Sequence, residues 1–300
     1  MKLFALPGFS DVASELVAGS SLQRERFTLE RFANGELHVE LETPVDGSEC
    51  AVLGTLRPPE RNLGEFLLLC DTLRRHSARS IVAVLPYFAY SRQDKFEAHR
   101  SLGLAWIGQL LAASGATELL TLDVHSPRAS ALCPIPLTSL DAAPLFVPAL
   151  EDRLVSDVTL VAPDEGAIDR CRRLGEVAGI DRLAHFKKIR SRTGVSSDLV
   201  GSVSERAVVI DDILDTGGTL IACVQGLRTA GVRQVSVAVT HGLFTGTAWQ
   251  QLWSFGVDRI VCTDSIGGLS PPDWRVKIVS CAPALASALR APREVSHAHA

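Results

Sequence analysis

The stretch that decides the fold of this chain reads Val208-Val209-Ile210-Asp211-Asp212-Ile213-Leu214-Asp215-Thr216-Gly217-Gly218-Thr219-Leu220. It begins with a β-branched apolar run, passes through two carboxylates into a turn with paired glycines, and then takes up helical spacing over 219–230. Open α/β sheets bind ligands at such junctions, where the carboxyl end of a strand meets the start of a helix. The stretch therefore predicts a strand, a binding loop and a helix.

The residue types of this loop indicate its ligand. Paired glycines allow a tight turn whose backbone N–H groups face a ligand, and the start of a helix adds partial positive charge, so a phosphate group is favoured. The threonine hydroxyls add hydrogen bonds, whereas the carboxylates suit vicinal hydroxyls or a nearby Mg²⁺ ion. Phosphate binding beside diol binding describes a ribose 5-phosphate. We expect its site to comprise Asp211, Asp212, Asp215, Thr216, Gly217, Gly218 and Thr219.

A plainer interpretation is an acidic turn in which Asp215 only caps the helix. A lone pair of acids or of glycines would be typical of such a turn. The whole run, placed at a strand–helix junction, favours the binding loop.

Short apolar runs recur along the rest of the chain, each followed by a helix-like stretch such as 63–76. The runs are mostly continuous and rich in β-branched residues, which is typical of parallel strands buried on both faces. This alternation predicts an α/β fold with mainly parallel sheets flanked by helices. The predicted strands include 51–53, 81–85, 119–122, 158–162, 208–210, 235–239, 260–262 and 276–279.

A faint internal repeat predicts two similar domains. Residues 51–88 and 207–244 each read as a strand, a loop, a helix ending in Leu-Arg and a second strand, the length of one βαβ unit. We expect an N-terminal domain at 1–143, a C-terminal domain at 144–290 and a disordered tail at 291–300.

Composition excludes several function classes. The chain is 46% apolar and 21% charged, as globular proteins are. It has neither a signal-peptide pattern nor the ~20 consecutive apolar residues of a membrane helix. The net charge of −4 provides no basic field for nucleic acid. The seven cysteines include no CxxC pair, which disfavours zinc and fits a reducing compartment. We expect a cytoplasmic protein with no nucleic-acid or membrane partner.

The loop at 211–219 resembles the signature of type I phosphoribosyltransferases, and further motifs resemble one group within that superfamily, the ribose-phosphate diphosphokinases, or phosphoribosyl pyrophosphate (PRPP) synthases. The motifs follow the family's order and span most of the chain. They are Arg31-Phe32-Ala33-Asn34-Gly35-Glu36, Pro59-Glu60-Arg61-Asn62, Pro86-Tyr87-Phe88-Ala89-Tyr90-Ser91-Arg92-Gln93-Asp94-Lys95, Leu122-Asp123-Val124-His125-Ser126, Ala162-Pro163-Asp164-Glu165-Gly166-Ala167 and Thr240-His241-Gly242-Leu243-Phe244.

The resemblance implies two phosphoribosyltransferase-type domains and a Mg²⁺-dependent transfer of the diphosphoryl group of ATP to the anomeric hydroxyl of ribose 5-phosphate, giving PRPP and AMP. It also implies a homo-oligomer, with ATP at the junction of the two domains. Only the second domain is expected to bind ribose 5-phosphate, because the first has neither a carboxylate pair nor a glycine pair at the corresponding place, 55–59.

The same resemblance nominates individual residues. It implies metal ligands at His125 and Asp164, although His is unusual for Mg²⁺. It implies a catalytic Lys–Arg pair on a mobile loop, for which Lys188 and Arg190 have the K-x-R spacing. Asn34 stands where the family usually has Asp. The implied ATP contacts are Phe32, Asn34, Glu36, Arg92, Gln93 and Asp94.

Two other functions stay open. A phosphoribosyltransferase that consumes PRPP would share the 211–219 loop but has no reason to carry the segments 32–36 and 92–95. A catalytically silent homologue that regulates a partner would keep the fold and lose catalytic groups, whereas the nominated groups are present here.

Overall fold

The computed structural model describes residues 1–191, 194–268 and 270–290, and at residues 188–191 and 194–197 it describes the backbone alone. This chain divides into two compact units. The first contains Met1–Thr121, Arg128–Leu140 and the segment that begins at Cys281; the second contains Leu122–Pro127 and Asp141–Ser280. The tail expected at 291–300 lies outside the described residues.

Strands and helices alternate through both units. As far as Leu140 the elements are β1 (Lys2–Ala5), α1 (Ser10–Ala18), β2 (Gln23–Arg24), β3 (Phe27–Arg31), β4 (Leu37–Leu41), β5 (Glu49–Leu53), α2 (Arg61–Arg75), β6 (Ser80–Val84), α3 (Gly103–Ala113), β7 (Glu118–Leu122), α4 (Ala129–Leu132) and β8 (Leu137–Leu140). They continue as α5 (Ala143–Phe146), β9 (Val158–Ala162), α6 (Ile168–Ala178), β10 (Leu183–Ser191), β11 (Gly194–Val200), β12 (Arg206–Leu214), α7 (Gly218–Thr229), β13 (Gln234–Gly242), α8 (Gln251–Ser254), β14 (Val257–Thr263), β15 (Val276–Val279) and α9 (Ala282–Arg290).

The first unit is built on a sheet in the order β2-β1-β5-β6-β7-β8. Its neighbours β2 and β1, β1 and β5, β5 and β6, and β6 and β7 all pair in parallel. Strand β5 is buried from Cys50 to Leu53, as expected of a central parallel strand. Helix α2 covers β5 and β6 with an apolar face that includes Phe66, Leu69 and Leu73. Strands β3 and β4 form a separate antiparallel hairpin.

Helix α9 packs in the first unit, although the sequence placed it in a domain ending at residue 290. Its apolar face buries Leu285, Ala286 and Leu289, and the helix contacts α1. The Arg290 guanidinium donates to the Gly19 carbonyl at 2.6 Å. The chain therefore returns to its first unit after completing the second. The local sequence pattern does not reveal this return, because it depends on contacts with residues far away in the chain.

The second unit is built on a sheet in the order β11-β10-β9-β12-β13-β14-β15. Every pair in it is parallel except β10 with β11. Helix α7 buries Leu220, Val224 and Leu227, one face at helical spacing, in the core formed with β12 and β13. The α/β class with mainly parallel sheets flanked by helices is confirmed. None of the described helices has the length and apolar content to cross a bilayer.

Candidate functional site

Strand β12 carries the two predicted carboxylates at its end. The strand lies between β9 and β13 and continues to Leu214, which pairs with Gly242 of β13. Asp211 and Asp212 therefore belong to the strand itself, whereas the sequence expected the strand to stop at Ile210. The equally long neighbour β13 explains the difference, because parallel pairing fixes the backbone of β12 through both aspartates.

The loop after β12 leaves the start of helix α7 open. Gly217 is the residue before the helix, in the left-handed conformation with φ of 89°. A Cβ atom at this position would lie 2.8 Å from Cα of Trp249, so both the conformation and the space require glycine. The N-cap residue of α7 is Gly217, whereas the plainer interpretation placed Asp215 there. The exposed Thr216, Gly218 and Thr219 surround N–H groups of the first helical turn, which have no acceptor within the helix.

Asp212 is buried, with 4% of its surface exposed, and is held by two basic side chains. Nδ1 of His125 donates to Oδ2 of Asp212 at 2.6 Å, and Nη2 of Arg170 lies 3.2 Å from the same oxygen. Burial alone would raise the pKa of Asp212, but the hydrogen bond from His125 and the charge of Arg170 outweigh it and hold that pKa well below its usual range. Asp212 is therefore ionised at neutral pH.

Asp211 has the opposite tendency. Its Oδ1 accepts a hydrogen bond from the backbone N–H of Asp212 at 2.9 Å. Burial raises the pKa of Asp211, and repulsion from the neighbouring Asp212 carboxylate raises it further. The two adjacent carboxyl groups thus differ in proton affinity.

His125 is oriented by its contact with Asp212. A carboxylate only accepts hydrogen bonds, so Nδ1 of His125 carries a proton, and in the neutral form of the ring the lone pair is on Nε2. The side chain is 42% exposed, which gives Nε2 access to a ligand. Metal-binding histidines commonly donate their other N–H to a carboxylate in this manner.

A buried polar network fixes the segment that carries His125. Oδ2 of Asp123 accepts from the Thr240 hydroxyl at 2.6 Å, and its Oδ1 accepts from Arg173 at 3.2 Å. The imidazole of His241 lies beside this network, with Nε2 donating to the Leu122 carbonyl at 3.2 Å and Nδ1 accepting from Ser265. Burial lowers the pKa of His241 to about 4, so the ring is neutral at physiological pH.

Asp164 precedes the short 3₁₀ turn Glu165–Ala167 and is partly exposed. Its Oδ1 accepts from the Gly166 N–H at 3.0 Å. Among residues whose side chains are described, no group of three or more His, Cys, Asp or Glu is arranged to hold a metal ion.

The residues expected to contact ATP belong to the first unit, in two separate segments. Phe32, Asn34 and Glu36 form the tip of the β3–β4 hairpin. Oδ1 of Asn34 accepts from the Glu36 N–H at 3.1 Å, which gives Asn34 a role in the turn itself. The Phe32 ring is 51% exposed and lies against His38, with the two ring centroids 5.2 Å apart.

The second segment, which contains Arg92, Gln93 and Asp94, follows β6. The Gln93 N–H donates to the Tyr90 carbonyl at 2.9 Å, and its side-chain Oε1 accepts from the Ser101 hydroxyl at 2.9 Å. Arg92 is exposed and Asp94 is partly exposed. The turn is therefore closed by Gln93, while the guanidinium of Arg92 reaches solvent.

The expected catalytic pair lies in strand β10. The backbone of Lys188 pairs with Ser197 and that of Arg190 with Val195, in an antiparallel ladder with β11. The expectation of a loop at this place is wrong, because the ladder continues to Ser191. The side chains of both residues lie outside the described part of the structure.

Sequence reasoning missed the groups that support the site. Arg170 and Arg173 lie on α6, and neither shares a motif with the aspartates that they contact. Trp249 lies against Gly217 from a segment about thirty residues further along the chain. The only available signal was the arginine-rich first half of α6, next to buried positions such as Cys171 and Leu174.

Comparisons with known proteins match both units to one family. Residues 1–115 match the family model described as the N-terminal domain of ribose phosphate pyrophosphokinase, and residues 171–291 match the phosphoribosyl synthetase-associated domain. A ribose-phosphate pyrophosphokinase of Granulibacter bethesdensis is 35% identical, with 97% of this chain and 96% of the relative covered. A ribose-phosphate pyrophosphokinase of Bacillus caldolyticus is 31% identical, with 89% and 86% covered.

A solved structure agrees with these sequence matches. The phosphoribosylpyrophosphate synthetase of Mycobacterium smegmatis superposes with a TM-score of 0.86 at 28% identity, covering 96% of this chain and 97% of that one. The resemblance deduced from the motifs is thereby confirmed. The similarity extends over both units and nearly the full length of the relatives, so this chain belongs to the ribose-phosphate pyrophosphokinase family.

Proposed function

We propose that this chain transfers the β,γ-diphosphoryl group of ATP to the anomeric oxygen of ribose 5-phosphate. The anomeric oxygen forms a bond to the β-phosphorus, the bond from that phosphorus to the α,β-bridging oxygen breaks, and AMP leaves. The hydroxyl proton passes to solvent. The observation that carries this proposal is the end of β12, where the adjacent carboxyl groups of Asp211 and Asp212, the second held by His125 and Arg170, precede the first turn of α7.

The ribose 5-phosphate is bound by the 211–219 segment. The first-turn N–H groups of α7, with Thr216 and Thr219, take the 5-phosphate. The carboxyl groups of Asp211 and Asp212 take the ribose hydroxyls, Asp212 by accepting and Asp211 by donating or accepting. Charge accumulates on phosphate oxygens during transfer, so catalysis depends on positioned cations more than on covalent chemistry. Lys188 and Arg190 supply these cations.

The ATP is bound by the first unit. The Phe32 ring stacks on adenine, Asn34 and Glu36 lie beside the base, and Arg92, Gln93 and Asp94 meet the phosphates. The exposure of Phe32 and Arg92 supports this assignment, because both residues reach the surface of the unit. Oδ1 of Asn34 accepts a hydrogen bond within the turn, so the side-chain NH₂ group of Asn34 is the one that we assign to the base.

Mg²⁺ fits the residues present. In the neutral form of His125 the lone pair is on Nε2, because Nδ1 donates to Asp212, and the Asp164 carboxyl follows the end of β9 in the same unit. We assign His125 and Asp164 to the metal, with substrate oxygens completing the coordination. When bound, the metal neutralises the charge that develops on the transferring phosphates.

The chain acts as a cytoplasmic homo-oligomer in this proposal. Within the described residues, the seven cysteines are buried and form no disulfide bond, as is usual in proteins of a reducing compartment. Light scattering after size-exclusion chromatography tests the oligomer, and a single-chain mass contradicts it.

The proposed activity is tested with ATP, ribose 5-phosphate and Mg²⁺, following AMP and PRPP by chromatography. We expect both products in equal amounts, and none after chelation of the metal. If the folded protein makes no AMP but consumes PRPP with a nucleobase, it is a phosphoribosyltransferase instead. If it does neither, it is a silent homologue.

The catalytic pair is tested by Lys188→Ala, with the neighbouring Lys187→Ala as matched control. Loss of a cation that acts in the transition state lowers kcat about 100-fold or more and leaves both KM values nearly unchanged. Lys187→Ala keeps its kcat. Unchanged turnover in Lys188→Ala contradicts the assignment.

A further inference from the structure

Trp249 lies directly behind the loop between β12 and α7. A Cβ atom at Gly217 would lie 2.8 Å from Cα and 3.0 Å from Cβ of Trp249, so the two backbones are already in close contact. Gly217 is the residue whose left-handed conformation turns the loop into the helix. Any displacement of Trp249 toward the loop would therefore move the first-turn N–H groups of α7.

Trp249 is itself held on several sides. It is buried, with 2% of its surface exposed, and its indole N–H donates to the Gly246 carbonyl at 3.1 Å. The Phe244 ring contacts it edge-on with centroids 4.9 Å apart, and the Trp253 ring does so at 6.0 Å. Behind Trp253, the Arg275 guanidinium lies 4.0 Å from the ring centroid. The indole is thus fixed by one hydrogen bond and by two aromatic rings.

The segment that leads to Trp249 also grips both sides of the loop. The N–H groups of Leu243 and Phe244 donate to the Leu214 carbonyl at 2.8 and 3.1 Å. The Thr245 N–H donates to the Asp215 carbonyl at 3.2 Å. The loop therefore receives backbone hydrogen bonds at its start and close packing at its end, all from residues 243–249.

We propose that Trp249 is a positioning residue that holds the 215–219 loop in its phosphate-binding conformation before ribose 5-phosphate arrives. The inference rests on the proposed function of that loop and adds a specific device to it. A preformed cradle spares the binding step the entropy of ordering the loop, so loss of the indole weakens binding of the phosphate-bearing substrate. ATP, which we assign to the first unit, is unaffected.

The experiment compares Trp249→Leu, Trp249→Phe and the matched control Trp274→Leu. Trp274 is 88% exposed, and no contact joins it to the loop among the described residues. We expect Trp249→Leu to raise the KM for ribose 5-phosphate about tenfold while the KM for ATP stays within about twofold. The smaller aromatic side chain of Trp249→Phe gives an intermediate loss of about three- to fivefold, and Trp274→Leu keeps the wild-type value.

Equilibrium binding supplies a second measurement that does not depend on turnover. Ribose 5-phosphate is titrated calorimetrically in the presence of Mg²⁺ and a non-hydrolysable ATP analogue, and the dissociation constant should follow the KM. Equal affinity in wild type and Trp249→Leu overturns the positioning role, as does an equal rise in both KM values. If Trp249→Leu does not fold, Trp249→Phe decides: a ribose 5-phosphate affinity reduced threefold or more supports the role, and a smaller change overturns it.

The failures of the two proposals are distinguishable. If wild type forms no AMP or PRPP but still binds ribose 5-phosphate in a manner that Trp249→Leu weakens, the proposed function fails and the positioning role stands. If wild type is active and the Trp249 variants bind normally, only the positioning role fails.

Discussion

Each unit contains a strand–loop–helix segment of similar sequence pattern, but one matched position is apolar in the first unit and acidic in the second. Aligned from Ala51 and Ala207, the buried Leu56 of the first unit falls opposite the buried Asp212 of the second. Leu56 is 1% exposed and apolar, whereas Asp212 is 4% exposed and needs His125 and Arg170 to remain ionised. Leu56 stabilises its unit by apolar packing. Asp212 contributes no such packing and instead places a charged group where the loop begins.

The loops that follow differ in the same way. In the first unit the Arg57 N–H donates to the Thr55 hydroxyl, and the Asn62 side chain donates to the Arg57 carbonyl, so local side chains satisfy the backbone. In the second unit the N-cap residue of α7 is Gly217, which has no side chain to accept from the first helical turn. The comparison teaches that the same strand–loop–helix arrangement can serve packing in one unit and, where other residues of its unit support a buried charge, present polar groups in the other.

The largest effect should come from placing the acidic residue of the second unit at the matching position of the first unit. Leu56→Asp places a carboxylate at a fully buried apolar position, and should lower the free energy of unfolding by about 4 kcal/mol or more. Leu56→Met should cost less than about 1.5 kcal/mol. Denaturant unfolding measures both, and a similar cost for the two variants would break the comparison.

The reverse substitution, an apolar residue at position 212, should also lower the stability of the protein, but a second substitution should restore much of it. Asp212→Leu leaves Arg170 buried beside an apolar side chain and should cost about 3 kcal/mol of unfolding free energy. Adding Arg170→Met removes the unpaired charge and should restore much of the loss. If the double variant is no more stable than the single one, the ion pair does not account for the stability of this position.

The stability of the second unit should also depend on pH through His241. The matching position of the first unit is Leu85, which does not titrate. The pKa of His241 is about 4 in the folded chain, below the ordinary histidine value of 6.5 that applies once the chain unfolds. The unfolded chain therefore binds more protons in this interval, so stability is full above pH 6.5 and falls as pH drops toward 4. The loss amounts to as much as about 3 kcal/mol.

His241→Gln isolates this contribution, since glutamine does not titrate. The slope of unfolding free energy against pH should flatten over that interval relative to wild type. Identical slopes in denaturant titrations at several pH values would show that the ring does not account for this pH dependence.

A smaller effect should follow from Gly217→Ala, which meets both a left-handed backbone and the Trp249 backbone. We expect a loss of about 2 kcal/mol in unfolding free energy. Two matched glycines separate the causes. Gly231 has φ of 88° with nothing near a Cβ and should lose about 1 kcal/mol. Gly218 has neither constraint and should change by less than about 0.5 kcal/mol. Equal losses at 217 and 231 would remove the steric part of the argument.

Sequence reasoning predicted the fold class, because continuous β-branched runs alternating with helical spacing are local signals. It also predicted the strand–loop–helix unit at 208–220. It did not place α9 in the first unit, end β12 at Leu214 or put Lys188 in a strand. Those features depend on pairing partners distant in the chain, such as Gly242 for Leu214 and Ser197 for Lys188. Arg170, Arg173 and Trp249 were missed for the same reason, since tertiary contacts alone define their roles.

The central claim is that ribose 5-phosphate binds at the end of β12 and not at its counterpart in the first unit. The most direct test is calorimetric titration of ribose 5-phosphate into wild type, Asp211→Ala and Thr55→Ala, with Mg²⁺ and a non-hydrolysable ATP analogue present. Thr55 falls opposite Asp211 when the units are aligned from Ala51 and Ala207. We predict that Asp211→Ala weakens binding about tenfold or more while Thr55→Ala binds as wild type does. Equal affinity in Asp211→Ala and wild type, or a loss in Thr55→Ala instead, would contradict the account.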